Sequence, residues 1–185
     1  MRTRASCWTM SKIYFDDGPL LIRSMLPEDA DILYDTYFSY GWHPRRDTYT
    51  GYWREQEAGR RLVFIPVYQG AIAGQCTLRL DPDGGPWAHR GIPEIDDLTV
   101  FFHLHHQGIG SRLLDAAERE AAKLCDTVCL AVGLHSGYGP AQRLYARRGY
   151  LPDGSGVWYQ GKPLAQYAPC SNDDDLLLYL SKALK

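Results

Sequence analysis

The sequence predicts a mixed α/β fold: one central sheet with helices on both faces. Three features predict it. Strand-length apolar runs alternate with segments of helical spacing along the chain. Hairpin-type turns lie towards both ends, at Gln69-Gly70-Ala71 and at Asp153-Gly154. Between them, Leu98-Thr99-Val100-Phe101-Phe102 has the β-branched and aromatic content of a buried strand, and it leads through a Gly-rich turn into an amphipathic helix.

Taken in order, residues 1–17 read as a tail or weakly held segment, with Met10 a second candidate start, and residues 18–185 as a single domain. Leu20 to Met25 reads as the first strand. Pro27 suits the first turn of a helix, and Glu28, Asp29 and Asp31 favour its positive end. Ala30, Leu33, Tyr34, Tyr37 and Phe38 form that helix's inner face, and Gly41 and His43-Pro44 break it. A second helix is predicted over 46–58, with Gly59 as its cap. Leu62 to Tyr68 and Ile72 to Leu80 are strands. The loop over 81–91 is long enough for a flap. Glu94 to Phe102 is the fourth strand. Gly108 to Cys125 is the central helix, with Ile109, Leu113, Ala117, Ala121 and Leu124 inward. Thr127 to Leu134 is the fifth strand and Gly139 to Arg148 a further helix. Tyr150 to Tyr159 reads as strand, turn and strand, and Leu176 to Leu180 as a last buried strand.

The totals narrow the function classes. A formal charge of −2 leaves no basic excess for nucleic acid. Five cysteines without framework spacing point to reduced thiols in a cytoplasmic protein. No apolar run reaches the ~18 residues of a membrane span. No apolar stretch follows Arg2 and Arg4, so no secretory signal is expected.

The turn His105-His106-Gln107-Gly108-Ile109-Gly110-Ser111 is the first landmark. Its glycines permit tight curvature and close approach, and unpaired amides at a helix start attract phosphate. A dinucleotide fingerprint fails because position 113 is Leu113, and a P-loop fails for want of Gly-Lys-Ser/Thr. Spacing alone leaves a phosphate cradle and a bare turn equally open. His103, His105 and His106 also raise the thought of metal, but a strand-to-turn segment points them in different directions, and no metal is expected.

The second landmark is Gly139-Pro140-Ala141-Gln142-Arg143-Leu144-Tyr145 to Gly149-Tyr150, a helix with Pro in its first turn and Gly at its end. Together the two landmarks resemble the GNAT superfamily of acetyl-CoA-dependent N-acetyltransferases. That family's phosphate loop reads Arg/Gln-x-x-Gly-x-Gly/Ala, and its later helix Ala-x-x-Leu-Tyr before a basic stretch and Gly-Phe/Tyr. His105 stands where the family has Arg or Gln, and Tyr138 where it commonly has Asn.

The resemblance implies a mostly antiparallel sheet of about seven strands, splayed between the fourth and fifth, with acetyl-CoA wedged in the gap. It implies that backbone amides of His106, Gln107, Gly108, Ile109, Gly110 and Ser111 face the pyrophosphate, with His105 or His106 adding charge when protonated. It further implies that Leu98 and Val100 pair through their backbones with the pantetheine, and that Tyr145 protonates the leaving thiolate. A phenol, with pKa near 10, holds its proton for that task; Tyr145 also reads as plain helix packing. Glu94 and Asp96 are the candidate bases, unless the amine arrives neutral or a water chain removes its proton. Two apart on a strand, they share a face with Leu98 and Val100, while Asp97 points away unless a bulge intervenes. They also read as solvated acids at a strand end. Aromatic residues from Tyr34 to Trp53 serve either the core or the wall of an acceptor cleft. The expected activity is direct acetyl transfer to an amine of a small molecule or peptide, without metal, nucleic acid or membrane, and with a homodimer left open. The rival is an acyl-CoA-binding or sensing domain of the same fold.

Overall fold

The computed structural model describes residues 11–184. Residues 1–10, with the alternative start at Met10, lie outside the described residues, as does Lys185. The strands are β1 (Ile13–Asp16), β2 (Leu20–Ser24), β3 (Arg61–Tyr68), β4 (Ala71–Ile72), β5 (Gly74–Arg79), β6 (Glu94–Val100), β7 (Thr127–Gly133), β8 (Leu151–Tyr159), β9 (Lys162–Pro163) and β10 (Leu176–Ala183). The helices are α1 (Asp29–Ser39), α2 (Thr48–Glu57), α3 (Ile109–Ala121) and α4 (Gly139–Arg147). One sheet runs in the order β1-β2-β3-β5-β6-β7-β10-β8-β9, with β4 paired to β3. All its pairs are antiparallel except β6 with β7. The expected sheet of about seven strands is present, extended by the short β4 and β9 and by β1.

The period-2 alternation of strands sorts side chains between two cores. Ile22, Phe64, Cys76, Leu78 and Ile95 meet Ile109, Leu113, Ala117 and Ala121 of α3 and Tyr145 of α4. Val63 and Ile65, the neighbours of Phe64 along β3, turn the other way to Leu33, Tyr37, Tyr49 and Phe101. So α3 and α4 cover one face, and α1 and α2 the other. No helix among the described residues is long and apolar enough to cross a membrane.

Four local expectations change. Ile13–Asp16, within the segment set apart as a tail or weakly held, pairs with β2, and Tyr14 and Phe15 pack against the α3-side core. The central helix stops at Ala121, so Leu124 lies past its end and is exposed. Phe38 is exposed rather than inward and stacks on Tyr34. Residues 151–159 do not fold back as a hairpin. Both halves pair with β10, and the register jumps from Pro152↔Leu180 to Val157↔Leu178. Positive φ at Gly154 and Gly156 lets the intervening residues loop out of the sheet.

Gly74 is the tightest point of the β5–β6 pairing. Its φ is +147°, and a Cβ there would stand 2.0 Å from the Thr99 carbonyl oxygen. Backbone cannot yield as a side-chain tip can, so strand separation is the only relief. Gly74→Ala should therefore destabilise the protein by about 3 kcal/mol. Urea unfolding checks this, and an unchanged midpoint would contradict the close pairing of β5 and β6.

Candidate active site

Strands β6 and β7 pair at Glu94↔Cys129 and Ile95↔Leu130 and nowhere beyond. From Asp96 and Ala131 onward they part, which opens a wedge in the sheet. On its other edge β6 stays paired with β5 as far as Gly74↔Val100, and the Phe101 amide donates to the Ala73 carbonyl. Peptide groups alternate along a strand. Leu98 and Val100 therefore turn theirs towards the wedge, where the Val100 carbonyl accepts from His105 Nε2 at 2.9 Å.

A bulge does intervene at Asp97, and it overturns one expectation about faces. The residue has φ +49°, and the register with β5 shifts between Thr77↔Asp96 and Gln75↔Thr99. One extra residue in β6 inverts the alternation beyond it. Glu94 and Asp96 lie on the α1–α2 side, opposite Arg79 and Thr77. Leu98 and Val100 pack into the α3-side core instead of sharing their face. Asp97 joins the acids: its carboxylate accepts from the Tyr52 hydroxyl of α2, and its amide donates to Asp96 Oδ1 at 3.0 Å. The sequence placed Asp97 among these acids only on condition of a bulge. The one available signal was an adjacent pair of acids inside an otherwise half-buried strand.

These acids are electrostatically unsettled. Burial, then the Asp96 charge, raises Glu94 to about 7, against the pull of Arg79 at 3.5 Å. Packing around its carboxylate, then the Asp96 charge, raises Asp97 to about 6, although the residue as a whole stays exposed. The nearby cations are already engaged. Arg61 binds Glu55 at 2.6 Å and Thr77 Oγ1 at 2.7 Å and lies over the Tyr52 ring. Arg79 also pairs with Asp83 of the 81–91 loop. That loop docks by Trp87 against Tyr179, ring centroids 6.1 Å apart.

At the far end of the wedge, Gly108 caps α3 in the left-handed region, φ +79°, and His106 is left-handed too. Among the described residues, the amides from His106 to Ser111 donate to no backbone group outside the helix. At a helix start they have no partner within it either. Ile109 is buried and anchors the turn, whereas His105, His106, Gln107 and Gly108 are exposed. His105 is turned back on Val100, so one of its ring nitrogens is already committed. Among the described residues no cluster of three or more His, Cys, Asp or Glu side chains is placed to hold a metal.

Tyr145 approaches the wedge from the opposite face to the acids. It is buried against Tyr150, ring centroids 5.7 Å apart. Burial, then the proximity of Cys76, Asp96 and Tyr138, pushes its hydroxyl above the ordinary phenol range. Tyr138 lies flat on Gly133 at the end of β7, where a Cβ would meet its ring at 2.3 Å. Its hydroxyl donates to Asp174 at 3.0 Å, and His135 Nε2 contacts the same oxygen at 2.9 Å.

The family model for acetyltransferases of the GNAT family matches residues 28–150, and the chain belongs to that family. Solved structures agree in fold. RimL, a ribosomal alpha-N-protein acetyltransferase, superposes with a TM-score of 0.71 at 14% identity, over 99% of each chain. A protein assigned to the GNAT family from Desulfovibrio desulfuricans gives 0.67 at 17%, over 90% of this chain and 99% of its own. The yncA protein of Salmonella typhimurium, solved with acetyl-CoA, gives 0.64 at 17%, over 91% and 95%. A comparison with curated proteins finds no match.

Two predictions follow from this geometry. A Cβ on Gly110 would meet only Val100 and Leu144 methyl groups, at 3.8 and 3.9 Å. Gly110→Glu should therefore fold, yet place a negative charge beside the free amides and abolish coenzyme A binding in calorimetry. Glu94 is a carboxyl raised in the folded state, so ionising it costs stability as pH climbs from its unfolded value towards 7. Glu94→Gln removes that cost. The variant should melt higher than the parent at pH 8, and the gain should vanish near pH 5.

Proposed function

We propose that the protein transfers the acetyl group of acetyl-CoA to a primary amine of a small molecule or peptide, by direct attack in a ternary complex. One observation carries this reading. The wedge between β6 and β7 has free amides at one end, and it is flanked at its apex by a protonated phenol on one face and carboxylates on the other. Acetyl-CoA supplies the thioester, and the residues present fit it. The amides of 106–111 offer donors to its pyrophosphate. The peptide groups of Leu98 and Val100 face the gap where an extended arm needs hydrogen bonds, although the Val100 carbonyl is shared with His105.

The remaining tasks fall to side chains. Tyr145 keeps its proton across physiological pH and donates it towards the departing sulfur. Asp97 and Asp96 stand at the apex, with Glu94 behind them on the same side. A carboxylate raised towards 6 or 7 is matched to taking a proton from an amine near neutral pH. A cysteine nucleophile is disfavoured. Cys76 and Cys129 are buried, and burial pushes both thiols far up. Direct attack needs no such group. The free cysteines suit a reducing compartment, consistent with a cytoplasmic protein.

The acceptor side favours cations. Glu55, Glu94, Asp96, Asp97 and Asp83 stand there against Arg61 and Arg79, both already paired. Peptide amines belong among the candidates, and the structurally similar RimL is itself a protein acetyltransferase.

A thiol-release assay over a panel of amines tests the reading. Turnover is expected with net-positive amines and peptide amines, rising with pH as the amine and the apex carboxylates lose protons. Coenzyme A binding without turnover on any amine would favour a sensing domain. Tyr145→Phe keeps the ring and removes only the proton. It should lower kcat by roughly 10²–10⁴-fold with coenzyme A affinity retained. A wild-type kcat, with chemistry rate-limiting, would return Tyr145 to a packing role.

A further inference from the structure

The α1–α2 side of the sheet holds two buried polar atoms without a hydrogen-bond partner. Among buried side-chain atoms of the described residues, only the Tyr37 hydroxyl and Gln75 Oε1 lack a hydrogen-bond partner. Tyr37 is 1% exposed and Gln75 3%. The core that holds Tyr37 is otherwise mainly apolar, with Met25, Leu33, Val63, Ile65 and Phe101. Thr99 stands near enough to the Tyr37 phenol to act on its charged form, yet the two make no well-formed hydrogen bond. An amide carbonyl buried without a donor is costly, and a leucine or methionine at position 75 would fill the same space without that cost. Packing alone gives no reason for a glutamine there.

Position explains what packing does not. Gln75 is the cross-strand partner of Thr99, the first register pair beyond the bulge that carries Asp97. It lies on the face where Asp96 and Asp97 meet Tyr52 and Arg61. Tyr37 is close enough to Asp97 and Tyr49 for their charges to act on it. Gln75 therefore lies two residues along β5 from Thr77, the register partner of Asp96.

We infer that Gln75 and Tyr37 form an acceptor subsite that takes an N–H donor next to the reacting amine, so that the protein prefers peptide-like acceptors over simple alkylamines. In a peptide, the first backbone N–H follows the α-amine by three bonds. Gln75 Oε1 accepts from it, and the Tyr37 hydroxyl, which both donates and accepts, serves the adjoining carbonyl. The subsite is shut in this structure, and its latch is visible. The Tyr52 hydroxyl of α2 donates to Asp97, and Arg61 ties Glu55 of α2 to β3. An ammonium arriving at Asp97 competes for the carboxylate that holds Tyr52. Its binding loosens the edge of α2 and gives access to the two unpaired atoms beneath. This inference rests on the acetyltransferase reading above.

The test compares two acceptors of equal length and charge: a dipeptide amide, and the same compound N-methylated at its first peptide nitrogen. Thiol release is measured with acetyl-CoA for the parent and for Gln75→Met, alongside thermal melting of both proteins. The parent should favour the N–H compound by at least about tenfold in kcat/KM, because an unmet buried carbonyl penalises the analogue. Gln75→Met should bring the ratio close to one and should melt higher than the parent, since it removes the orphaned carbonyl. Equal rates of the parent on both acceptors would overturn the subsite and leave acetyl transfer standing. A Gln75→Met variant that melts lower and loses activity on both compounds alike would mark Gln75 as structural and also overturn it. Coenzyme A binding with no turnover on any amine would overturn both the subsite and the transferase reading.

Discussion

The parting of β6 from β7 after two residue pairs is the constraint on which the rest depends. Parallel strands normally share hydrogen bonds along their length. Here the facing edges beyond Asp96 and Ala131 carry peptide groups with no strand to receive them. A buried peptide group left unpaired costs about 1–3 kcal/mol. Such a gap persists only where solvent, a side chain or a ligand meets its polar groups. His105 meets one of them, at the Val100 carbonyl. The start of α3 closes the same end of the gap with amides of its own, so an extended ligand with an anionic end matches the whole length.

The bulge at Asp97 turns that gap into a two-sided site. Without it, β6 would carry its acids and its apolar residues on one face, and that face could serve either the core or the chemistry. With it, Leu98 and Val100 hold the strand onto α3 while Glu94, Asp96 and Asp97 face α2. The Tyr145 phenol and these carboxylates then approach the apex from opposite sides of the sheet. They do not neutralise one another, and Asp96 and Asp97 keep raising the proton affinity of their neighbours.

Ion pairs fix the helices that deliver these groups. Glu118 of α3 gathers Arg148 just after α4, Lys182 of β10 and the Tyr150 hydroxyl, while Arg148 Nη2 donates to Asp115 as well as to Glu118. Arg148 follows Tyr145 within one turn, so this network sets the depth at which the phenol sits. Asp29, at the start of α1, is almost wholly buried. It accepts from two Arg23 nitrogens at 2.6 and 2.8 Å and from the Leu26 amide at 2.7 Å. Removing one partner of such a pair strands the other charge, which typically costs about 3–5 kcal/mol. The network therefore secures position more than it adds net stability.

The order of elements, the two-faced sheet and the family were legible in the sequence, because hydrophobic period, Gly-Pro punctuation and short motifs are local properties. Gly108-Ile109-Gly110 and Ala141 to Tyr150 carry that information in a few consecutive residues each. Three things were decided only by tertiary structure. A positive φ at Asp97 inverted the facing of every later residue in β6; aspartate visits that region more readily than most residues, yet nothing local announces when it does. The segment 151–159 became one interrupted strand because β10 inserted beside it, and a pairing partner lies outside any local window. Gln75 and Tyr37 became orphans only when the helices closed over that face of the sheet. Hydrogen-bond satisfaction belongs to pairs of atoms brought together by the fold, and no spacing along the chain records it.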